Sequence, residues 1–271
     1  MKDAMMQHLA DLRHEPTEKR VRAKIGERTV VDSTRAMLVW EPRRIVPSYA
    51  VPVDDIQADL VPEGPAPTAA EPAVLHPGIA FTAHSTAGES FAVRTDGESR
   101  SGAAFRPADI DLAEYAILDF NAFDAWFEEN DELFGHPRDP YSRIDIRPSS
   151  RHVRVEIDGQ LVAESTRPTL LFETGLPVRF YLPKEDVRGL EPSDRRTYCA
   201  YKGQASYWSI GEHRNYAWTY TDPLPGVTEI AGLVAFYDEM VDITVDGVRR
   251  PRPHTAFSKA VMEESGMSEP S

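Results

Sequence analysis

Cysteine is nearly absent from this chain of 271 residues; Cys199 is the only one. No intrachain disulfide can form, and a reducing, cytoplasmic setting is the expectation. One thiol cannot build a structural zinc site either. Long apolar runs are missing, so no segment approaches the roughly 20 residues a membrane-spanning helix needs. The first twenty residues lack an apolar stretch followed by a small-residue cleavage site, which argues against a secretory signal. Positive charge is in deficit. Lys and Arg number 30 against 44 Asp and Glu, a formal net charge of −14. That balance disfavours non-specific binding to nucleic acid or anionic membranes. No basic stripe with interleaved aromatics offsets it. No nucleic-acid and no membrane partner is expected.

Several chemical motifs are absent as well. There is no G-x-G-x-x-G, no Walker-type loop and no G-x-S-x-G. The eight histidines (His8, His14, His76, His84, His136, His152, His213 and His254) show none of the short spacings of metal ligands. No metal and no cofactor is expected from them.

What the chain does contain is a repeat. Residues 20–56 read RVRAKIGERTVVDSTRAMLVWEPRRIVPSYAVPVDDI, and residues 152–187 read HVRVEIDGQLVAESTRPTLLFETGLPVRFYLPKEDV. Ser33-Thr34-Arg35 recurs as Ser165-Thr166-Arg167, an offset of 132. Internal repeats fix domain plans before other signals do. In both copies apolar residues alternate, at Val21, Ala23 and Ile25 and at Val153, Val155 and Ile157, as in a half-buried strand. Asp158-Gly159 is a two-residue hairpin signal, with Gly26-Glu27 in the matching place. Compact apolar runs then end in Glu41 and Glu173, and a third strand follows near residues 48–51 and 179–182. The copies diverge afterwards. Residues 62–78, with Pro62, Pro65, Pro67, Pro72 and Pro77, read as an exposed loop, whereas copy two needs only a turn at residues 191–196. Final strands are expected near residues 143–146 and 242–245, and helices at residues 121–134 and 230–240.

The expected organisation is a lead-in at residues 1–19, a first unit at 20–147, a second at 148–250 and a frayed tail at 251–271. Short strands with frequent turn signals predict a mainly β protein of two tandem small β-rich domains with one or two short helices.

Copy two carries the chemistry-bearing residues. Cys199 precedes Lys202 by three, and Glu173 ends an apolar strand. These are the candidates for nucleophile or acid–base work. The competing reading is a small buried thiol, a snorkelling lysine and a register-fixing ion pair of Glu173 with Arg167 or Arg179, as Glu41 would make with Arg35. Aromatic walls with polar tips suit a ligand pocket, for which Tyr201, Lys202, Gly203, Tyr207, Trp218 and Tyr220 are the candidates. Trp218 and Tyr220 share a strand face, while Tyr207 and Trp208 point apart. Aligned by similarity, copy one has His84 for Cys199, Ala87 for Lys202, Phe105 for Trp218 and Pro107 for Tyr220.

The stretch from Ser165 to Val187, with Tyr198-Cys-Ala-Tyr-Lys-Gly203, Ala217-Trp-Thr-Tyr220 and Ala235-Phe-Tyr-Asp-Glu239, resembles the bacterial DUF427 family. Ala200 stands where that family usually has proline. Copy one is similar to the divergent first unit of tandem members. The resemblance implies a small β-rich fold comparable with the β-tent domains, though the cysteine quartet with which many of those bind zinc is missing. It also brings an occasional nucleotidyltransferase label. That chemistry needs a Gly-Ser turn and an Asp-x-Asp pair for Mg²⁺; no Gly-Ser dipeptide occurs, and Asp109-Ile110-Asp111 is the one Asp-x-Asp. The reading is a cytoplasmic β module that binds a small molecule or peptide in its second unit. The alternatives are an enzyme using Cys199, Lys202 or Glu173, and a structural or protein-interaction module. Oligomeric state is left open.

Overall fold

The computed structural model describes residues 8–69 and 73–253. Pro72, residues 1–7 of the lead-in and residues 254–271 of the tail, with His254, lie outside the described residues. The protein is mainly β and divides into two compact units, Met1–Asp139 and Pro140–Ser271.

The first unit holds a seven-stranded antiparallel sheet in the order Arg13–Pro16, Met37–Trp40, Ser48–Pro52, Tyr115–Leu118, Ser99–Pro107, Gly88–Arg94 and Asp59–Pro65. A four-stranded sheet accompanies it: Asp131–Leu133, Ala125–Glu128, Val21–Ile25 and Arg28–Ser33. The alternation read from the sequence is the one observed, since Val21, Ala23 and Ile25 are buried and Arg22 and Lys24 are not. Their core includes Trp126, which stacks on Tyr49 with ring centroids 5.3 Å apart.

The second unit has three sheets. Ile144–Pro148, Thr169–Glu173 and Arg179–Tyr181 form one. Gln160–Ser165, Val153–Ile157, Asp242–Val245 and Val248–Arg249 form another. Leu190–Cys199, Gly203–Ile210, His213–Tyr220 and Ala235–Phe236 form the third. Asp158 (φ 50°) and Gly159 (φ 77°) both adopt the left-handed conformation a tight hairpin demands.

Registers correspond closely. Val21 pairs with Ser33 and Val153 with Ser165, and both hairpins bulge at the same step, after Ala23 and after Val155. Arg13 pairs with Trp40 as Asp145 does with Phe172. The strand expected to close the first unit near residues 143–146 therefore opens the second, as the counterpart of Arg13–Pro16.

Four further expectations are corrected. The helix at residues 121–134 is a three-residue 3-10 turn, Phe120–Ala122, followed by the hairpin Ala125–Glu128 and Asp131–Leu133. The helix at residues 230–240 is the 3-10 turn Thr228–Ile230 followed by the two-residue strand Ala235–Phe236. The short helices are 3-10 turns only, among the described residues. Residues 62–78 are not simply an exposed loop. Strand Asp59–Pro65 pairs through Pro65, and Leu75 is fully buried, exchanging backbone bonds with Arg43 and Ile45. Residues 191–196 lie within strand Leu190–Cys199, bulged between Pro192 and Arg196.

The shared Ser-Thr-Arg motif has a folding role. Ser33 Oγ and Ser165 Oγ each accept the backbone N–H two residues on, at 3.0 Å in both units. Arg35 then pairs with Asp55 and Arg167 with Asp186, in the 3-10 turns Val53–Asp55 and Lys184–Asp186. Ser33 Oγ also donates to Asp55 Oδ2 at 2.6 Å. Ser33→Ala should therefore cost about 1–3 kcal/mol, a charge-assisted bond, and Ser165→Ala about 1 kcal/mol or less. Urea denaturation of both variants checks this; equal losses would show that the bond to Asp55 contributes nothing.

Candidate functional site

Strand Thr169–Glu173 buries Leu170 and Leu171 and ends on Glu173. A carboxylate carried out of water needs a partner. Lys202 supplies it from the turn between Leu190–Cys199 and Gly203–Ile210, with Nζ donating to Glu173 Oε2 at 2.5 Å. Both side chains are nearly buried. Burial alone would lower the Lys202 pKa, but nearby Cys199, Glu173 and Tyr181 more than offset it and hold the ammonium above its usual value. Lys202 is thus held as a charged donor to Glu173.

Beside this pair lies an aromatic cluster. Tyr181, Tyr207, Trp218 and Tyr220 are buried together with Leu171, flanked by half-buried Cys199 and Tyr237. Trp218 Nε1 donates to Tyr181 Oη at 3.2 Å. The Tyr207 hydroxyl lies 2.9 Å from Thr197 Oγ1 and 3.1 Å from Tyr237 Oη. Burial pushes the Tyr181 phenol up to about 12, and burial raises Tyr220 and Tyr237 as well, so these hydroxyls stay neutral donors and acceptors. Two guanidinium groups cover ring faces, Arg179 over Trp218 at 5.7 Å and Arg195 over Tyr207 at 4.6 Å.

A second charged group closes the cluster. Arg179 makes a two-pronged bond to Glu239, at 2.9 and 2.7 Å, and its Nη1 lies 3.0 Å from Asp238 Oδ1. Asp238 Oδ1 is buried without an aligned hydrogen-bond donor. Burial pushes the Asp238 carboxyl up to about 6 against the opposing pull of Arg179.

The structure brings Glu173, Cys199, Lys202, Tyr207, Trp218 and Tyr220 into one region, with Trp208 on the opposite face in a different core, as strand alternation requires. Tyr201 is half-buried in the turn beside Lys202. Gly203 is explained by its backbone: φ is 93°, and a Cβ there would meet Leu224 Cγ at 3.4 Å and Asp222 O at 3.5 Å.

The expected grouping of Glu173 with Arg167 and Arg179 is corrected. Arg167 reaches Glu185 and Asp186, while Arg179 reaches Asp238 and Glu239. Nor does Glu41 meet Arg35, which pairs with Asp55. Glu41 is buried with Arg44 (3.3 Å), His84 (3.2 Å) and the backbone N–H of Ser85 (3.1 Å).

Tyr181, Arg179, Arg195, Asp238 and Glu239 were not singled out as pocket residues. A sequence signal existed for two of them. Leu171 pairs with Arg179 and Thr169 with Tyr181, where the first unit pairs Val39 with Ser48 and Met37 with Ala50. The turn is one residue shorter in the second unit, so Arg179 and Tyr181 stand where the first has Ser48 and Ala50.

Two outcomes follow from this geometry. Lys202→Met leaves Glu173 buried and unpaired and should destabilise by about 3–5 kcal/mol, whereas adding Glu173→Gln should recover more than half of that loss. Urea melts of the single and double variants test it, and strictly additive losses would refute the coupling. The second concerns pH. Folded Asp238 binds its proton more tightly than the unfolded chain does, so its contribution is most favourable below about 4. It declines as pH rises to about 6 and is constant above. The stability of the wild type relative to Asp238→Asn should fall across that window; a flat difference would show an unshifted carboxyl.

No curated protein matches the chain. Residues 145–247 match the family described as a domain of unknown function (DUF427), NTP_transf_9. That span lies in the second unit and holds the strand-ending Glu173, the Lys202 turn and the aromatic cluster.

Proposed function

We propose that the second unit is a binding module for a small molecule or peptide, acting in the cytoplasm of a bacterium, and that the two units are a duplicated pair of which the first has diverged. One observation carries this reading. Two nearly buried ion pairs, Glu173–Lys202 and Arg179–Glu239, flank the Tyr181–Trp218 pair, while the first unit has Ser48 and Ala50 at the register positions of Arg179 and Tyr181. Buried ion pairs seldom stabilise more than apolar residues of the same volume. The Glu173 pair has a counterpart in the buried Glu41–Arg44 pair of the first unit, but the Arg179 charge has none at its register position, where Ser48 stands, and that difference supports recognition of a polar ligand rather than stability. An enzymatic reading through Lys202 is disfavoured, because its amine is protonated and paired.

A second reading, a structural or interaction module with its interior filled, has its own support in the Leu224 and Asp222 atoms packed beside Gly203. A thermal-shift screen of polar metabolites and short peptides separates the two. A ligand near a hundredfold its Kd should add about 2.7 kcal/mol of stability. Trp218→Phe and Tyr237→Phe should weaken that gain. If no compound stabilises the chain, or the gain is unchanged in both variants, the filled-interior reading stands.

A further inference from the structure

A different cluster lies in the first unit, outside the family match. His14 sits on the edge strand Arg13–Pro16, held in register opposite Val39. Asp109 and Asp111 lie in the connection between strands Ser99–Pro107 and Tyr115–Leu118. That connection is anchored by Leu112, which is fully buried against Phe105 and Ile117. One ligand atom from each of His14, Asp109 and Asp111 falls within 4.8 Å of the others. His14 Nε2 lies 4.0 Å from Asp111 Oδ2, and among the described residues no Lys or Arg is paired with either carboxylate. Two carboxylates converging on an imidazole repel each other unless a positive charge is shared among them.

The surroundings leave room for such a charge to act. Asp109 also lines a concavity of about 580 Å³ together with Gly88, Glu89, Arg106 and Ile110. Gly88 is required there, because a Cβ would lie 2.3 Å from Arg106 O and 2.4 Å from the Phe105 ring.

We propose that His14, Asp109 and Asp111 bind a divalent transition-metal ion at the rim of this concavity. One imidazole nitrogen with two carboxylate oxygens suits zinc, cobalt, nickel or manganese better than calcium, which takes six to eight oxygens. Ligand atoms around such an ion stand about 3.0–3.4 Å apart, given bonds near 2.1 Å. Rotation of the exposed Asp111 side chain closes the gap. Three protein ligands leave further positions on the ion for water or a small anion, and Arg106, whose guanidinium donates to the Ala113 carbonyl at 2.6 Å, also lines the hollow. The site does not depend on the function proposed for the second unit.

Cobalt(II) titrated into the full chain, stripped beforehand with a chelator, tests the site by calorimetry and visible absorption. One equivalent should bind, with the spectral change of imidazole ligation. His14→Ala and Asp111→Asn should each weaken binding by about tenfold or more, while Asp96→Asn, on an exposed carboxylate paired with Arg28, should leave it unchanged. Circular dichroism verifies that the surface variants fold. Binding of equal strength in His14→Ala and Asp111→Asn, or no stoichiometric binding to the wild type, would overturn the site.

Discussion

A carboxylate at the end of a short apolar strand has to be paired, and both units are arranged around that requirement. Glu41 follows strand Met37–Trp40, and Glu173 ends strand Thr169–Glu173. In the first unit the partner Arg44 comes from the next turn, and its guanidinium also donates to the carbonyls of Ala80, Phe81 and Ala83. One buried charge therefore organises the segment that follows the proline-rich stretch. His84 joins from that segment, stacked on Phe105 with ring centroids 3.7 Å apart. The second unit has no such segment, so its glutamate draws on Lys202 from a hairpin turn instead.

The same constraint explains which parts of the fold were readable in the sequence. Strands with an apolar face and a polar face announced themselves, as Val21–Ile25 and Val153–Ile157 did, and so did the Asp158-Gly159 turn. The pattern failed where charges are buried. In Ala125–Glu128 the inward residues are Trp126 and Glu128. Glu128 accepts from Tyr49 at 2.6 Å and from Lys19 at 2.7 Å, so a polar letter occupies a core position. Strand alternation then vanishes, and the aromatic residues at 123, 126, 127 and 134 mimic a helical period. Asp238 and Glu239 obscure the 230–240 segment in the same way.

The candidate site was readable in its members and not in its pairings. Cys199, Lys202, Tyr207, Trp218 and Tyr220 lie on adjacent strands or their turn, so local alternation sufficed to group them. Arg179 and Glu239 are 60 residues apart, and their meeting depends on how the short strand Arg179–Tyr181 lies beside Ala235–Phe236. The backbone bonds between Leu182 and Val234, both 2.8 Å, bring these segments together. The grouping of His14 with Asp109 and Asp111 likewise depends on an edge strand meeting a distant connection, which no spacing rule anticipates.

What the fold demands and what it leaves open are therefore separable. It demands that the strand-end carboxylate be neutralised, because an unpaired buried charge costs several kcal/mol. It does not specify the partner, since Arg44 with His84 serves in one unit and Lys202 in the other. A position that must be filled but accepts several chemistries can change without loss of the fold. In the second unit the partner chosen also lies within the electrostatic reach of Cys199 and Tyr181, at the edge of an aromatic cluster. Neutralising Glu173 accounts for a cation there, whereas its being a lysine beside Cys199 and Tyr181 is not required by the fold, since an arginine and a histidine serve the first unit.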